Sequence, residues 1–183
     1  RLGTEAGAYA RLDELAAAVE PGSGGLLWMP HVQGRVLPPR PHARGAWVGL
    51  TSAHGHGHLF RAVLEGIAYE YATWAEIAPG ELTEARVLGG GARSALWNSI
   101  KANVLGIDWV PTKRQECGVL GDALIAAAAT GHVSDLGARA TAWQQTGPRV
   151  SADVAQHARY RSLLVAYREL RGQLAPVFER LAG

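Results

Sequence analysis

Three consecutive glycines, Gly89 to Gly91, separate the apolar run "EARVL" (84–88) from a segment with helical periodicity that opens at Ser94. Glycine loses more conformational freedom on ordering than any other residue, so a triple glycine is costly unless bare backbone is needed there. Placed after a strand and before a helix, it lets a base or a phosphate approach the main chain without meeting a Cβ. The following helix adds free N–H groups and a positive dipole end. A tight turn without a ligand satisfies the same pattern. The stretch is not a Walker A loop, because no Gly-Lys-Ser/Thr follows, and Ser94 stands where a dinucleotide fingerprint has its third glycine.

Around this turn the pattern alternates. "YARLDELAAAVE" (9–20) reads as a helix, with Leu12, Leu15, Ala16 and Val19 on one face. "LLWMPHV" (26–32) and "AWVGL" (46–50) read as strands, joined by a loop with three prolines. A long helix starts between Thr51 and His56. Its stripe is Phe60, Val63, Leu64, Ile67, Tyr71 and Trp74, and Pro79-Gly80 ends it. Arg61 and Glu65 form an i,i+4 pair outside that stripe, an arrangement worth only about a few tenths of a kcal/mol at a helix surface.

After the glycines, Ser94 is placed as a helix N-cap and Gly106 as the residue that closes that helix, with Trp97, Ile100 and Val104 facing inward. "DWVPT" (108–112) is a further strand and "ECGVLGDALIAAAATG" (116–131) a small-residue helix. The tail from Ser151 to Leu181 is a long amphipathic helix that Pro176 is expected to bend. Strands alternating with helices point to an α/β sheet with helices packed on it, and ligands of such sheets sit beyond the strands' carboxyl ends.

Composition excludes several classes. At 48% apolar and 19% charged, the 183 residues suit a globular protein with a real core. No apolar run reaches the roughly 20 residues of a membrane span. A net charge of +2 with scattered arginines gives no nucleic-acid footprint. Cys117 is the only cysteine, which excludes an internal disulfide and suits a reducing, cytoplasmic setting. "HGHGH" (54–58) would line three imidazoles on one face only in a strand, and here it precedes a helix, so no metal site is assigned. No carboxylate pair is placed for acid–base work, and no general base is visible.

Five separated stretches then resemble, in order, the C-terminal domain of the FGGY carbohydrate kinases, and xylulose kinases most closely. "GLLWMP" is similar to the family's first strand and "ARGAWVGL" to its Ala-Arg-Gly strand. "TSAHGHGHLFRAVLEGIAY" is similar to its Thr-x-x-His-x-x-x-His helix start running into Arg-Ala-x-x-Glu-Gly. "GGGARSALW" is similar to its adenosine motif, and "ECGVLGDALIAA" to its last glycine-containing segment. The loop "GRVLPP" (34–39) departs from the family's Gly-Glu-Arg-x-Pro, Arg40-Pro41 replaces Asp-Pro, and Asn103 stands where an aspartate is common.

The resemblance implies an α/β actin-like ATPase fold (ribonuclease H-like): a mixed sheet flanked by helices, with a long C-terminal helix. Residues 1–25 would lead in from an N-terminal lobe, 26–135 would form the nucleotide-binding core, and 136–183 a helical extension. It implies ATP and Mg²⁺, transfer of the γ-phosphoryl group to a hydroxyl of a small sugar such as xylulose, and cytoplasmic location. Gly90, Gly91, Ala92 and Ser94 would contact the nucleotide, and Gly118 and Gly121 would shape the nearby wall. Arg44 and Glu65 match family positions as structural residues. The catalytic base and the phosphate-binding turn have no matching position here and are expected in the N-terminal lobe. The partners implied are ATP or ADP, a small sugar and that lobe, with a homodimer as an option and neither nucleic acid nor membrane. Ribulose, gluconate or glycerol as acceptor, or a non-catalytic nucleotide-binding module of the same fold, are the alternatives.

Overall fold

The computed structural model describes residues 5–113 and 117–182. The elements follow the alternating order: α1 (Glu5–Ala17), β1 (Leu27–Pro30), β2 (Gly45–Val48), α2 (His56–Ile77), β3 (Glu84–Val87), α3 (Ala95–Leu105), β4 (Asp108–Pro111), α4 (Cys117–Ala129), α5 (Leu136–Trp143) and α6 (Val154–Leu181). The first residue of the expected fourth-helix segment, Glu116, lies outside the described residues. β1 and β2 pair antiparallel, Leu27 opposite Val48, while β3 and β4 pair parallel, Glu84 opposite Asp108. Parallel strands need a crossover, and α3 provides it.

The core lies where α2, α3, α6 and β1 meet. Met29, Leu64, Ala68, Ile100 and Val104 are buried there with Tyr69, Tyr160 and Tyr167. The Tyr69 ring packs edge-on against Tyr160 and tilted against Tyr167, with centroids 6.3 Å and 5.0 Å away. Burial pushes all three phenols well above their ordinary range. Pro176 lies inside α6, and the helix continues past it to Leu181. The short α5 has no buried residue, which is why no apolar stripe announces it.

Arg61 and Glu65 correct the sequence reading. They are not a surface pair: Arg61 is 5% exposed and Glu65 1%. Glu65 Oε1 accepts from Arg61 Nε at 2.8 Å, Gly22 N at 2.9 Å and the Tyr160 hydroxyl at 2.8 Å, and Oε2 accepts from the Ser23 hydroxyl at 2.8 Å. Arg61 also donates to the carbonyls of Ala16 and Val19 and to the Tyr160 oxygen. One ion pair thus ties the end of α1, the 21–25 turn and α6 to α2.

A second buried carboxylate repeats the device further along α2. Glu70 accepts from Tyr167 at 2.9 Å, from Arg171 at 3.0 Å and from Arg35 at 3.0 Å, and His31 Nε2 stands 3.5 Å away, an electrostatic contact rather than a formed hydrogen bond. Burial alone would raise this carboxyl. The donors and the positive charge around it win, and they hold it at about 2. A carboxyl depressed from its ordinary 4.5 stabilises the fold above the unfolded value and stops doing so as pH falls through the folded one. Urea midpoints measured between pH 5 and pH 2 should therefore fall more steeply in the native protein than in Glu70→Gln.

The helix after the glycine turn is capped as its sequence indicates. The Ser94 hydroxyl accepts from Trp97 N at 3.0 Å, and Gly106 closes the helix in the left-handed region with φ 71°, its N–H bonded to the Ala102 carbonyl. Ser94→Ala should cost about 1 kcal/mol in chemical denaturation.

Candidate functional site

The three glycines serve three different needs. Gly89 has φ 86° and ψ −178°, a region essentially closed to side-chain-bearing residues. A Cβ on Gly91 would stand 2.5 Å from the Trp97 ring. A Cβ on Gly90 would meet nothing within 4 Å. The first glycine makes the turn, the third makes room for an indole, and the middle one leaves main chain bare toward open space.

That space is a cavity of about 750 Å³. Phe60, Val63 and Ile67 of α2 form one wall, Tyr9 and Asp13 of α1 border it, and Gly90, Gly91, Arg93, Ser94 and Trp97 close the other side. The α2 stripe read from periodicity is therefore split. Leu64 enters the core, while Phe60, Val63 and Ile67 stay half-buried as the cavity wall. Trp74, at the stripe's far end, is exposed and donates to the Leu37 carbonyl.

Trp97 connects the turn to the core. Its Nε1 donates to the Leu64 carbonyl at 3.1 Å, and Lys101 Nζ lies 3.5 Å from its ring centroid. Lys101 is buried, with Tyr71 and Trp109 also within cation–π reach, and burial lowers it to about 8. Asn98 was not singled out by the sequence. Its Nδ2 holds the Ala92 carbonyl at 2.8 Å, and its Oδ1 is buried without a hydrogen-bond partner. Asn98 lies off the apolar stripe of Trp97, Ile100 and Val104, so helical spacing does not mark it.

The expected nucleotide residues are placed in two groups. Gly90, Gly91 and Ser94 line the 750 Å³ cavity together, with Ala92 on the same 3-10 turn and its carbonyl turned to Asn98. Gly121 lines a second cavity of about 240 Å³ with Leu88, Thr112 and Cys117. Gly118 follows Cys117 in the first turn of α4 and does not line that cavity, and a Cβ on either α4 glycine would meet nothing within 4 Å. Packing therefore does not require glycine at 118 or 121. The two cavities flank one turn, with Leu88 in one and Gly90 in the other.

The histidines of "HGHGH" are engaged locally. His54 Nδ1 accepts from Thr51 N at 2.9 Å and its Nε2 faces the Gly24 carbonyl, while His58 Nδ1 accepts from Gly55 N at 3.3 Å. Among the described residues, no three His, Cys, Asp or Glu side chains are grouped to hold a metal ion. Arg44 is exposed and reaches toward the Leu181 carbonyl at 3.5 Å. No helix is long and apolar enough to cross a membrane among the described residues.

Comparison with known proteins places these features in context. Residues 2–130 match the FGGY family of carbohydrate kinases, C-terminal domain. Gluconokinase of Bacillus subtilis (strain 168) is 34% identical over 143 residues, covering 75% of this chain and 28% of that protein. Erythritol kinase of Brucella abortus (strain 2308) is 33% identical over 181 residues, covering 94% of this chain and 34% of that protein. The crystal structure of ligand-bound xylulose kinase from Lactobacillus acidophilus superposes with a TM-score of 0.84 at 26% identity, over 94% of this chain and 36% of that one. The chain thus spans about a third of the length of the relatives it matches.

Proposed function

The chain belongs to the FGGY family of carbohydrate kinases, whose C-terminal domain it carries, and from that membership we propose that it is the ATP-binding lobe of a sugar kinase. The observation that carries this reading is the cavity between Phe60, Val63 and Ile67 on one side and Gly90, Gly91 and Ser94 on the other. An apolar wall facing side-chain-free peptide suits a planar base, and the capped N-terminus of α3 adds a positive dipole end beside it. In this reading Gly90, Gly91 and Ser94 take the adenosine and Ala92 contributes backbone. Gly121 borders the space beyond Leu88, and Gly118 precedes it on α4.

The reaction is transfer of the γ-phosphoryl group of ATP to a sugar hydroxyl, in which positioning and charge stabilisation do most of the catalysis. No described cluster on this chain suits Mg²⁺, which commonly rides on substrate phosphates, and no step is assigned to it. The general base belongs to a second lobe. For the acceptor we favour a ketopentose such as xylulose, supported by the likeness to xylulose kinase. Gluconate is the second reading, supported by the 34% identity to gluconokinase.

Calorimetric titration with ADP tests the lobe, and heat consistent with one site per chain is expected. Coupled assays of ADP release by the full-length protein with xylulose, ribulose, gluconate and glycerol test the acceptor. The highest kcat/KM should fall on xylulose. A maximum on gluconate would replace the acceptor and keep the lobe, whereas absence of ADP binding would overturn both.

A further inference from the structure

We propose that the cavity between the 31–43 loop and the C-terminal part of α6 binds the phosphate group of a phosphorylated small molecule, at a site separate from the nucleotide cavity. The cavity measures about 610 Å³, within the range of small-molecule sites. Arg35 and Arg40 face it from the loop, Arg168 and Arg171 from α6, and His31 and His42 complete the lining.

The charges do not cancel locally. Glu70 is one carboxylate shared by Arg35 and Arg171, and it lies 3.5 Å from His31. Arg168 pairs with Glu76, and Glu179 lies on the rim. Four guanidinium groups thus face three carboxylates, before either imidazole takes a proton. One donor in this cluster is also left over. Arg35 Nη2 is buried and has no hydrogen-bond partner, on a side chain 8% exposed. A buried donor without an acceptor is costly, and on an arginine that lines the cavity it points to an acceptor supplied from outside the chain.

A phosphate fits this arrangement better than a carboxylate. It offers three acceptor oxygens and between one and two negative charges, which suits guanidinium forks that converge from two elements. Met29, Pro38 and Phe178 add apolar surface for the carbon body of a phosphate ester.

The test titrates inorganic phosphate, ribose 5-phosphate and ribose into the full-length protein with ADP already saturating. Both phosphates should bind and ribose should not. Ribose 5-phosphate binding at least tenfold more tightly identifies an ester as the ligand. Equal affinities identify free phosphate, with the site retained. Arg40 is exposed and outside the buried Glu70 cluster, so Arg40→Glu should fold normally. It should weaken both phosphate ligands at least tenfold while ADP affinity and the melting temperature stay unchanged. Arg171→Lys, which keeps the charge but loses the fork, should weaken them as well. No binding in the presence of ADP, or unchanged phosphate affinity in Arg40→Glu, overturns the proposal. A parallel loss of ADP affinity would also overturn it, by merging the two sites. Absence of ADP binding alone bears only on the nucleotide reading.

Discussion

Glu65→Ala is expected to destabilise the protein by about 3–5 kcal/mol, the cost of removing one partner from a buried ion pair. Arg61 would be left 5% exposed with no carboxylate, and Gly22 N, the Ser23 hydroxyl and the Tyr160 hydroxyl would each lose their acceptor. A domain of ordinary stability has about 5–15 kcal/mol in total, so the variant should be largely unfolded on modest warming. Glu65→Gln keeps the shape and one acceptor oxygen and should lose less. Tyr160→Phe removes one relay in the network and should cost least of the three. Urea unfolding monitored by tryptophan fluorescence gives the order. A Glu65→Ala midpoint close to the native one would mean that the network does not hold α1 and α6 to α2.

The second large effect is at the glycine turn. Gly91→Val brings a side chain to within 2.5 Å of the Trp97 ring, which is itself fixed by the Leu64 carbonyl and by Lys101. Overpacking of this kind costs about 1–3 kcal/mol. Because the indole borders the same cavity, ADP affinity should fall by about a hundredfold or more, equivalent to at least about 2.7 kcal/mol. The side chain meets the indole before it meets any base, so this substitution perturbs fold and site together. Gly90→Val separates them. Its Cβ has open space within the protein, so the melting temperature should barely move while ADP affinity still falls. Equal ADP affinity in native and Gly90→Val protein would remove the nucleotide from this corner.

The parts of the fold legible in the sequence are those fixed by neighbours along the chain. Ser94 and Gly106 mark the ends of α3 because capping is local chemistry, and β3, the glycine turn and β4 follow from short apolar runs between breakers. The burial of Arg61 and Glu65 is illegible in the sequence for the opposite reason. Opposite charges at i,i+4 beside an apolar stripe look solvated, and what buries them comes from positions 16, 19, 22, 23 and 160. Phe60, Val63 and Ile67 show a related limit. Helical spacing identifies an apolar face without saying whether protein or a ligand covers it. In the site, the bare backbone at Gly90 was legible. The indole under Gly91 and the amide of Asn98 under Ala92 were not, since both roles depend on how α3 folds back beneath the turn.

A crystal structure of the protein with ADP decides whether the base sits on the glycine turn. Adenine density should lie against Phe60, Val63 and Ile67, with its other face on the peptide of Gly90 and Gly91. Adenine bound elsewhere, with Trp97 or another protein side chain filling that space, would contradict that placement.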